Sequence, residues 1–403
     1  MRFAPEAGAA LPLLAAAFMV AALLARFLTP AFRRFAIGIR MVDRPDERRV
    51  NTRPIARGGG VAVAGAFLPV ALGLLVVNAL ADPAIVPRPA IIGGGQLVGL
   101  LGGGALAVAL GTLDDYFQIR ARWQLLTQLV LAGFAIVMGL TITTLTSPLG
   151  SGSIQLEGLP ALLFTVFWIV GMINSINFID GLDGLSAGIG LIAALTLGII
   201  SLTAEVGQPF VALFCFALGG ALLGFLRWNF HPAVIFAGTS GVMFLGYTLA
   251  VLSILGTAKV AVALLVLGVP IIDTFWIIVR RLLAGRSPFA PDLGHIHHRL
   301  LDLGLSQTQT VLLIYGLCLV LAVLSFFLSG RGQVYAFLGI AVAFGVVLLL
   351  LTRRGLAADD LEAEAYQSPA DAAASDAPDH APDHASDHAP NEPTGARPPS
   401  RPG

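Results

Sequence analysis

The chain is poor in charge, in lysine and in cysteine. Only 12% of its 403 residues are Asp, Glu, Lys or Arg, against ~25% in soluble globular proteins. A soluble fold of this composition is excluded in practice. Lys259 is the only lysine, so any chemistry that needs a lysine off the membrane must use another group. The two cysteines, Cys215 and Cys318, both lie inside apolar runs, which excludes a disulfide or cysteine–zinc framework. Net charge is +0, so no basic patch calls for nucleic acid, and none is expected as a partner.

Hydrophobic residues make up 56% of the chain, and its mean hydropathy is +0.84. Apolar stretches of bilayer-crossing length, ~20 residues, recur along it. The expectation is an all-α, polytopic helical membrane protein. Its eleven spans fall near 9–30, 59–80, 91–112, 123–145, 160–179, 185–203, 209–226, 239–256, 259–279, 308–328 and 333–352. The first run has no persuasive cleavage site after it, so it reads as a span rather than a removable signal. Arginines set the orientation. Arg33, Arg34, Arg40, Arg44, Arg48, Arg49, Arg53 and Arg57 follow the first span, and Arg120, Arg122, Arg227, Arg280, Arg281, Arg286, Arg299, Arg353 and Arg354 lie on the same side. The other side holds Arg88, Lys259 and Arg331. The N-terminus is therefore expected outside and the C-terminus in the cytoplasm of a plasma-membrane protein. Two regions follow: a membrane domain over 1–355 and, over 356–403, an Ala/Pro/Asp/His-rich cytoplasmic tail that cannot bury a core. His380, His384 and His388 in the tail could bind a transition metal weakly, but composition favours a solvated segment.

Four polar motifs fall on the side predicted to be cytoplasmic. Asp114 and Asp115 end the third span. Asn174-Ser-Ile-Asn177-Phe-Ile-Asp180-Gly-Leu-Asp183-Gly-Leu ends the fifth. Carboxylates at a helix C-terminus face the negative end of its dipole, and adjacent acids repel. A divalent cation removes both costs, and Mg2+, held by one or two carboxylates plus substrate phosphates, fits best. The alternative is a set of solvated loop acids. Steps of three keep Asn174 and Asn177 near one helical face, and Gly181 and Gly184 are expected to break the helix and re-aim Asp180 and Asp183. Asn174 could equally be packing glue between helices.

The third motif is Gly294-His295-Ile-His297-His298-Arg299. Its imidazoles and guanidinium can donate to phosphate oxygens. Zinc is disfavoured, because the spacing is tight for a tetrahedral site, and a loop merely anchored on lipid headgroups is the plain alternative. The fourth runs from Arg49 through Asn51, Arg53 and Arg57 to Gly58-Gly59-Gly60. Its glycines permit close backbone approach, and the helix that follows offers N–H groups to an anion. The arginines could equally be ordinary topology determinants. Together the motifs describe a magnesium-dependent phosphate site beside lipid.

In this order the segments resemble the polyprenyl-phosphate N-acetylhexosamine-1-phosphate transferases, glycosyltransferase family 4, in the undecaprenyl-phosphate GlcNAc-1-phosphate branch. The matching pieces are Pro54 to Gly60, Leu113-Asp-Asp115, Asn174 to Leu185, Asn229-Phe-His-Pro-Ala233 and His295-Ile-His-His298, within about residues 40–330. The resemblance implies transfer of a sugar 1-phosphate, GlcNAc-1-phosphate first among candidates, from a UDP-N-acetylhexosamine to undecaprenyl (polyprenyl) phosphate, releasing UMP. It implies Mg2+ as cofactor, with Mn2+ as a substitute. Asp114, Asp115, Asp180 and Asp183 would be the catalytic acids, with Asp114, Asp115 and Asp183 at the metal. Arg49, Asn51, Arg57, Asn174, Asn177, His295, His297, His298 and Arg299 would bind substrate. Membrane lipid is a partner, and homodimerisation is left open.

The chain departs from the family at three places. Gln124 stands for a usual lysine, Arg49-Val-Asn51 for Lys-x-His, and Gly238-Thr239-Ser240-Gly241-Val242 for Gly-Asp-x-Gly-Ser. Three other readings stay open: the related phospho-N-acetylmuramoyl-pentapeptide translocase, an ion-coupled transporter, in which intramembrane acids mark an ion path, and an inactive relic of the enzyme.

Overall fold

The computed structural model describes residues 2–43, 54–81, 84–147, 152–255, 259–283, 285, 295–328 and 330–347. Arg49, Asn51 and the His-containing tail, singled out from the sequence, lie outside the described residues. Helices dominate. They are α1 (Ala7–Gly38), α2 (Gly60–Leu80), α3 (Gly94–Phe117), α4 (Ala121–Val137), α5 (Leu159–Ile179), α6 (Leu185–Ser201), α7 (Pro209–Asn229), α8 (Gly238–Leu255), α9 (Lys259–Val266), α10 (Gly268–Leu283), α11 (Ile296–Asp302) and α12 (Gln307–Phe327). A last helix, α13, covers Gly330–Val347. Two antiparallel ribbons complete the fold: β1 (Val42–Asp43) with β2 (Ile55–Ala56), and β3 (Thr144–Thr146) with β4 (Ser153–Gln155).

Among the described residues, each of the eleven expected spans falls on helix, with two differences. Among the described residues, eight helices are long and apolar enough to cross a bilayer, or nine if a bent pair counts as one. That pair is the expected ninth span, which breaks by 78° between Val266 and Gly268. The other difference concerns α4 and α6, each of 17 residues, which at ~1.5 Å per residue fall short of a ~30 Å hydrocarbon core. The helix α4 stops at Val137 rather than 145. Gly139, at φ +83°, closes it, with Gly139 N–H donating to Ile136 and Leu140 N–H to Ala135.

In lipid, helices associate by close packing rather than by the hydrophobic effect, so small residues mark their interfaces. The most extensive interface joins α1 to α7. A Cβ on Gly220 would come 2.1 Å from the Phe18 carbonyl oxygen, and one on Gly224 would come 2.1 Å from that of Ala22. On α1 the facing stripe is Ala10, Leu14, Ala17, Ala21 and Ala25, all buried. The outward face carries Leu11, Met19, Leu23 and Phe27, exposed to what would be lipid. The most enclosed spans are α7 and α8, with 83% and 89% of their apolar windows buried, so they form the centre. Tyr247 on α8 donates to the Gly99 carbonyl of α3 at 2.7 Å and fills the space left by Gly103. This contact fixes α8 beside α3 and brings its N-terminus to the acids that end α3.

Candidate active site

The two acids at the end of α3 point to different partners. Asp115 is buried, and its two oxygens accept from the Thr239 and Ser240 backbone N–H groups at 2.8 and 3.0 Å. It thus closes the N-terminus of α8, where free N–H groups favour a carboxylate. The Arg57 guanidinium lies 3.7 Å from Asp115 and 3.6 Å from Asp43. Asp114 accepts from the Ile119 N–H at 3.0 Å and from the Gln124 amide at 3.0 Å to each oxygen. The departure at Gln124 therefore retains a donor on Asp114 where a lysine would supply a cation.

Gly59 and Gly60 do make a close backbone approach, but to protein. Their N–H groups donate to the Phe236 and Ala237 carbonyls at 2.9 Å. A Cβ on Gly60 would sit 2.0 Å from Gly241 N. These glycines lock α2 against the start of α8, and the N–H groups expected to meet an anion are used inside the fold.

Asp180 follows the last residue of α5, and the chain re-enters helix at α6 after Gly184, which takes a left-handed conformation at φ +79°. Ser186 on α6 donates to Asp180 Oδ1 at 2.5 Å. Burial pushes the Asp180 carboxyl up to about 7, opposed by Ser186 and Arg57 and reinforced by the charges of Asp115 and Asp183. Arg57, Asp115, Asp180 and Asp183 therefore share one electrostatic neighbourhood. Asp183 Oδ2 accepts from the Ala233 N–H at 3.0 Å and pairs with His231 Nδ1 at 2.8 Å.

The histidine loop docks on this turn. His297 is buried, and a Cβ on Gly181 would come 2.2 Å from its Nε2. Gly181 is thus needed for the approach of a neighbour. The His295 ring stacks on His297 at 5.5 Å, the His298 ring lies tilted by 41° at 4.4 Å from His297, and Phe178 lies 5.5 Å from His295. Burial, then the neighbouring His298 and His295, hold His297 well below its ordinary value, so it is neutral. Its Nδ1 is buried without a partner among the described residues. His295 is held by Asp273 of α10, as taken up below.

An apolar groove of about 930 Å³ opens beside the loop, between α4, α5, α9 and α10. Its walls include Leu129, Leu163, Phe167, Ile271, Phe275 and Ile278. Its polar lining comprises Gln124, Gln128, Asn174, Asn177, Arg281 and His295, together with Ser175 and Thr274. The 78° bend lets α10 form one wall.

The structure thus brings Arg57, Asp115, Asp180, Asp183, His295 and His297 to one end of the bundle. Asn177 joins them through the groove, and His298 and Arg299 lie on α11 within the same loop. Asn174 also lines the groove, and its amide donates to Gln128 Oε1 of α4 at 2.7 Å. Asp114, Asp115 and Asp183 do not converge as a preformed three-acid ion site. Among the described residues no three His, Cys, Asp or Glu side chains do. The reason is local: successive residues on a helix point ~100° apart, and Asp114 and Asp115 are each committed to other donors. Sequence reasoning missed Asp273, gave Arg281 only a topology role, and placed His231 in a family motif without a role of its own. Asp273 carried a signal, because an acid within an apolar run demands a partner.

A bundle of apolar helices with carboxylates and histidines gathered at one end, beside an apolar groove, defines a membrane protein equipped for phosphate chemistry. The pattern of glycosyl transferase family 4 matches residues 97–257. The chain is 35% identical over 305 residues to a probable undecaprenyl-phosphate N-acetylglucosaminyl 1-phosphate transferase of Bacillus subtilis, covering 74% of this chain and 80% of that one. It is 35% identical over 381 residues to the decaprenyl-phosphate N-acetylglucosaminephosphotransferase of Mycolicibacterium smegmatis, covering 87% and 92%. A phospho-N-acetylmuramoyl-pentapeptide-transferase of Listeria monocytogenes is 33% identical over 244 residues, covering 55% and 71%. The protein belongs to glycosyl transferase family 4.

Proposed function

We propose that the protein transfers N-acetylglucosamine 1-phosphate from its UDP-sugar to a polyprenyl phosphate, releasing UMP, at the cytoplasmic surface of the membrane. The observation that carries this reading is one of adjacency. His295 and Arg281 line the apolar groove, and the loop of His295 is docked through His297 on the turn that holds Asp180 and Asp183. A prenyl chain suits the groove, and its phosphate suits a cationic, hydrogen-bonding end. The named activities of the relatives support the same assignment, and the arginine-rich connections support the cytoplasmic orientation.

The donor set fits magnesium. Asp183 accepts its two bonds at Oδ2 and Asp180 accepts at Oδ1, so among the described residues Asp183 Oδ1 and Asp180 Oδ2 stay available. Two carboxylates plus substrate phosphates are typical of Mg2+. When bound, the ion would neutralise charge on the donor diphosphate. Asp114 and Asp115 support the site from behind by fixing Gln124 and the start of α8. His298 and Arg299, on α11 of the same loop, would donate to the donor phosphates.

The acceptor is a phosphate monoester, largely ionised at neutral pH. Its oxygen attacks the sugar-bearing phosphorus, the bond from that phosphorus to the UMP oxygen breaks, and UMP leaves with the electron pair. Positioning and charge neutralisation carry most of the catalysis. The test is turnover by purified protein with undecaprenyl phosphate and a panel of UDP-sugars. Lipid product and UMP in equal amounts from UDP-N-acetylglucosamine are expected. Product from a different UDP-sugar alone would reassign the donor, and solute uptake into vesicles without lipid product would favour a transporter.

A further inference from the structure

Asp273 lies within the bent ninth span, on α10, and is 1% exposed. Both of its oxygens are used across the gap to the histidine loop. Oδ2 pairs with His295 Nδ1 at 2.8 Å, and Oδ1 accepts from the Ile296 backbone N–H at 3.0 Å. His295 occupies the N-cap position of α11 yet makes no cap bond with its own side chain. Asp273 supplies that bond from a different helix. With Asp273 ionised, its oxygens only accept, so the His295 proton sits on Nδ1, and Nε2, with no partner among the described residues, is left for a ligand. His295 also lines the groove, whose wall is built from Ile271, Thr274, Phe275 and Ile278 around Asp273 on the same helix. One carboxylate thus ties the groove wall to an imidazole of the phosphate site.

We propose that Asp273 is a positioning residue for the transfer reaction, fixing the ring orientation and tautomer of His295 at the junction of the lipid groove and the phosphate site. Its link to turnover rests on the function proposed above, whereas the pairing itself does not. Outer partners that orient a metal-bound histidine typically contribute ~10–100-fold, and a loss of that order is expected here.

The test uses the full chain in detergent and two readouts. The first is 15N NMR of protein labelled at histidine, with the His295 signal identified by its loss in His295→Gln. In Asp273→Asn the side chain has one acceptor. That oxygen is needed by Ile296 N–H, so the amide N–H faces His295 Nδ1 and the ring proton moves to Nε2. A switch of the His295 signal from the Nδ1–H to the Nε2–H form is expected. The second readout is a double-mutant cycle. Asp273→Asn is expected to lower kcat by ~10–100-fold in the wild-type background and to have no further effect in His295→Gln. An unchanged tautomer in Asp273→Asn would overturn the proposal, as would an equal loss in both backgrounds, which marks a purely structural role. If wild-type protein makes no lipid product from any UDP-sugar, the proposed function falls, while the tautomer measurement still decides the pairing.

Discussion

His231 Nδ1 lies 2.8 Å from Asp183 Oδ2, and the Ala233 N–H donates to the same oxygen at 3.0 Å. Both contacts hold one edge of the Asp183 carboxylate and leave Oδ1 for substrate or cation. His231→Ala should therefore lower kcat by ~10–100-fold, with a small change in thermal stability. His231→Asn, which keeps a donor near Asp183, should recover part of the loss. Steady-state kinetics on both variants check this; equal loss in the two would show that the hydrogen bond is not the source of the effect.

Gly181 carries the docking of the histidine loop. An added Cβ would stand 2.2 Å from His297 Nε2, and the ring is stacked on His295 and packed at a tilt against His298. Overpacking of this kind costs ~1–3 kcal/mol. Gly181→Ala should lower the melting temperature and reduce turnover by about 100-fold, since small misplacements of reacting groups are that costly. Adding His297→Ala should recover the melting temperature but not the turnover. Differential scanning and UMP release on the single and double variants give the comparison.

His297 also sets a pH response. Its folded-state value is depressed well below the ordinary 6.5. Below that ordinary value the unfolded chain binds a proton that the folded chain does not, so stability falls as pH falls through about 6.5 and is fully present above it. Thermal midpoints should drop between pH 7 and 5.5 in the wild type. The same window should be flatter in His297→Gln. Parallel curves for the two proteins would remove His297 as the cause.

Much of the architecture was legible because bilayer thickness fixes the length of apolar runs. The bend before α10 was not, although Gly268 and Pro270 sit beside it, because hydropathy does not distinguish a straight helix from a broken one. The motifs Asp180–Asp183 and His295–His298 were legible as separate elements, and each is dense in groups that lipid disfavours. Their partners were harder to see. Asn174 and Gln128 lie on different helices, so their amide pair has no local signature. Asp115 shows the same limit: composition marks it as a misplaced acid, whereas the contact between α3 and α8 makes it a cap for Thr239 and Ser240. Asp273 was hidden inside a run read only as a span.

The most direct measurement is UMP release from UDP-N-acetylglucosamine and undecaprenyl phosphate by purified wild type and Asp183→Asn, each with Mg2+ and with chelator. The account predicts product only from the wild type with Mg2+ present and a correctly folded, inactive Asp183→Asn. Near wild-type release by Asp183→Asn, or release undiminished by chelation, would contradict it.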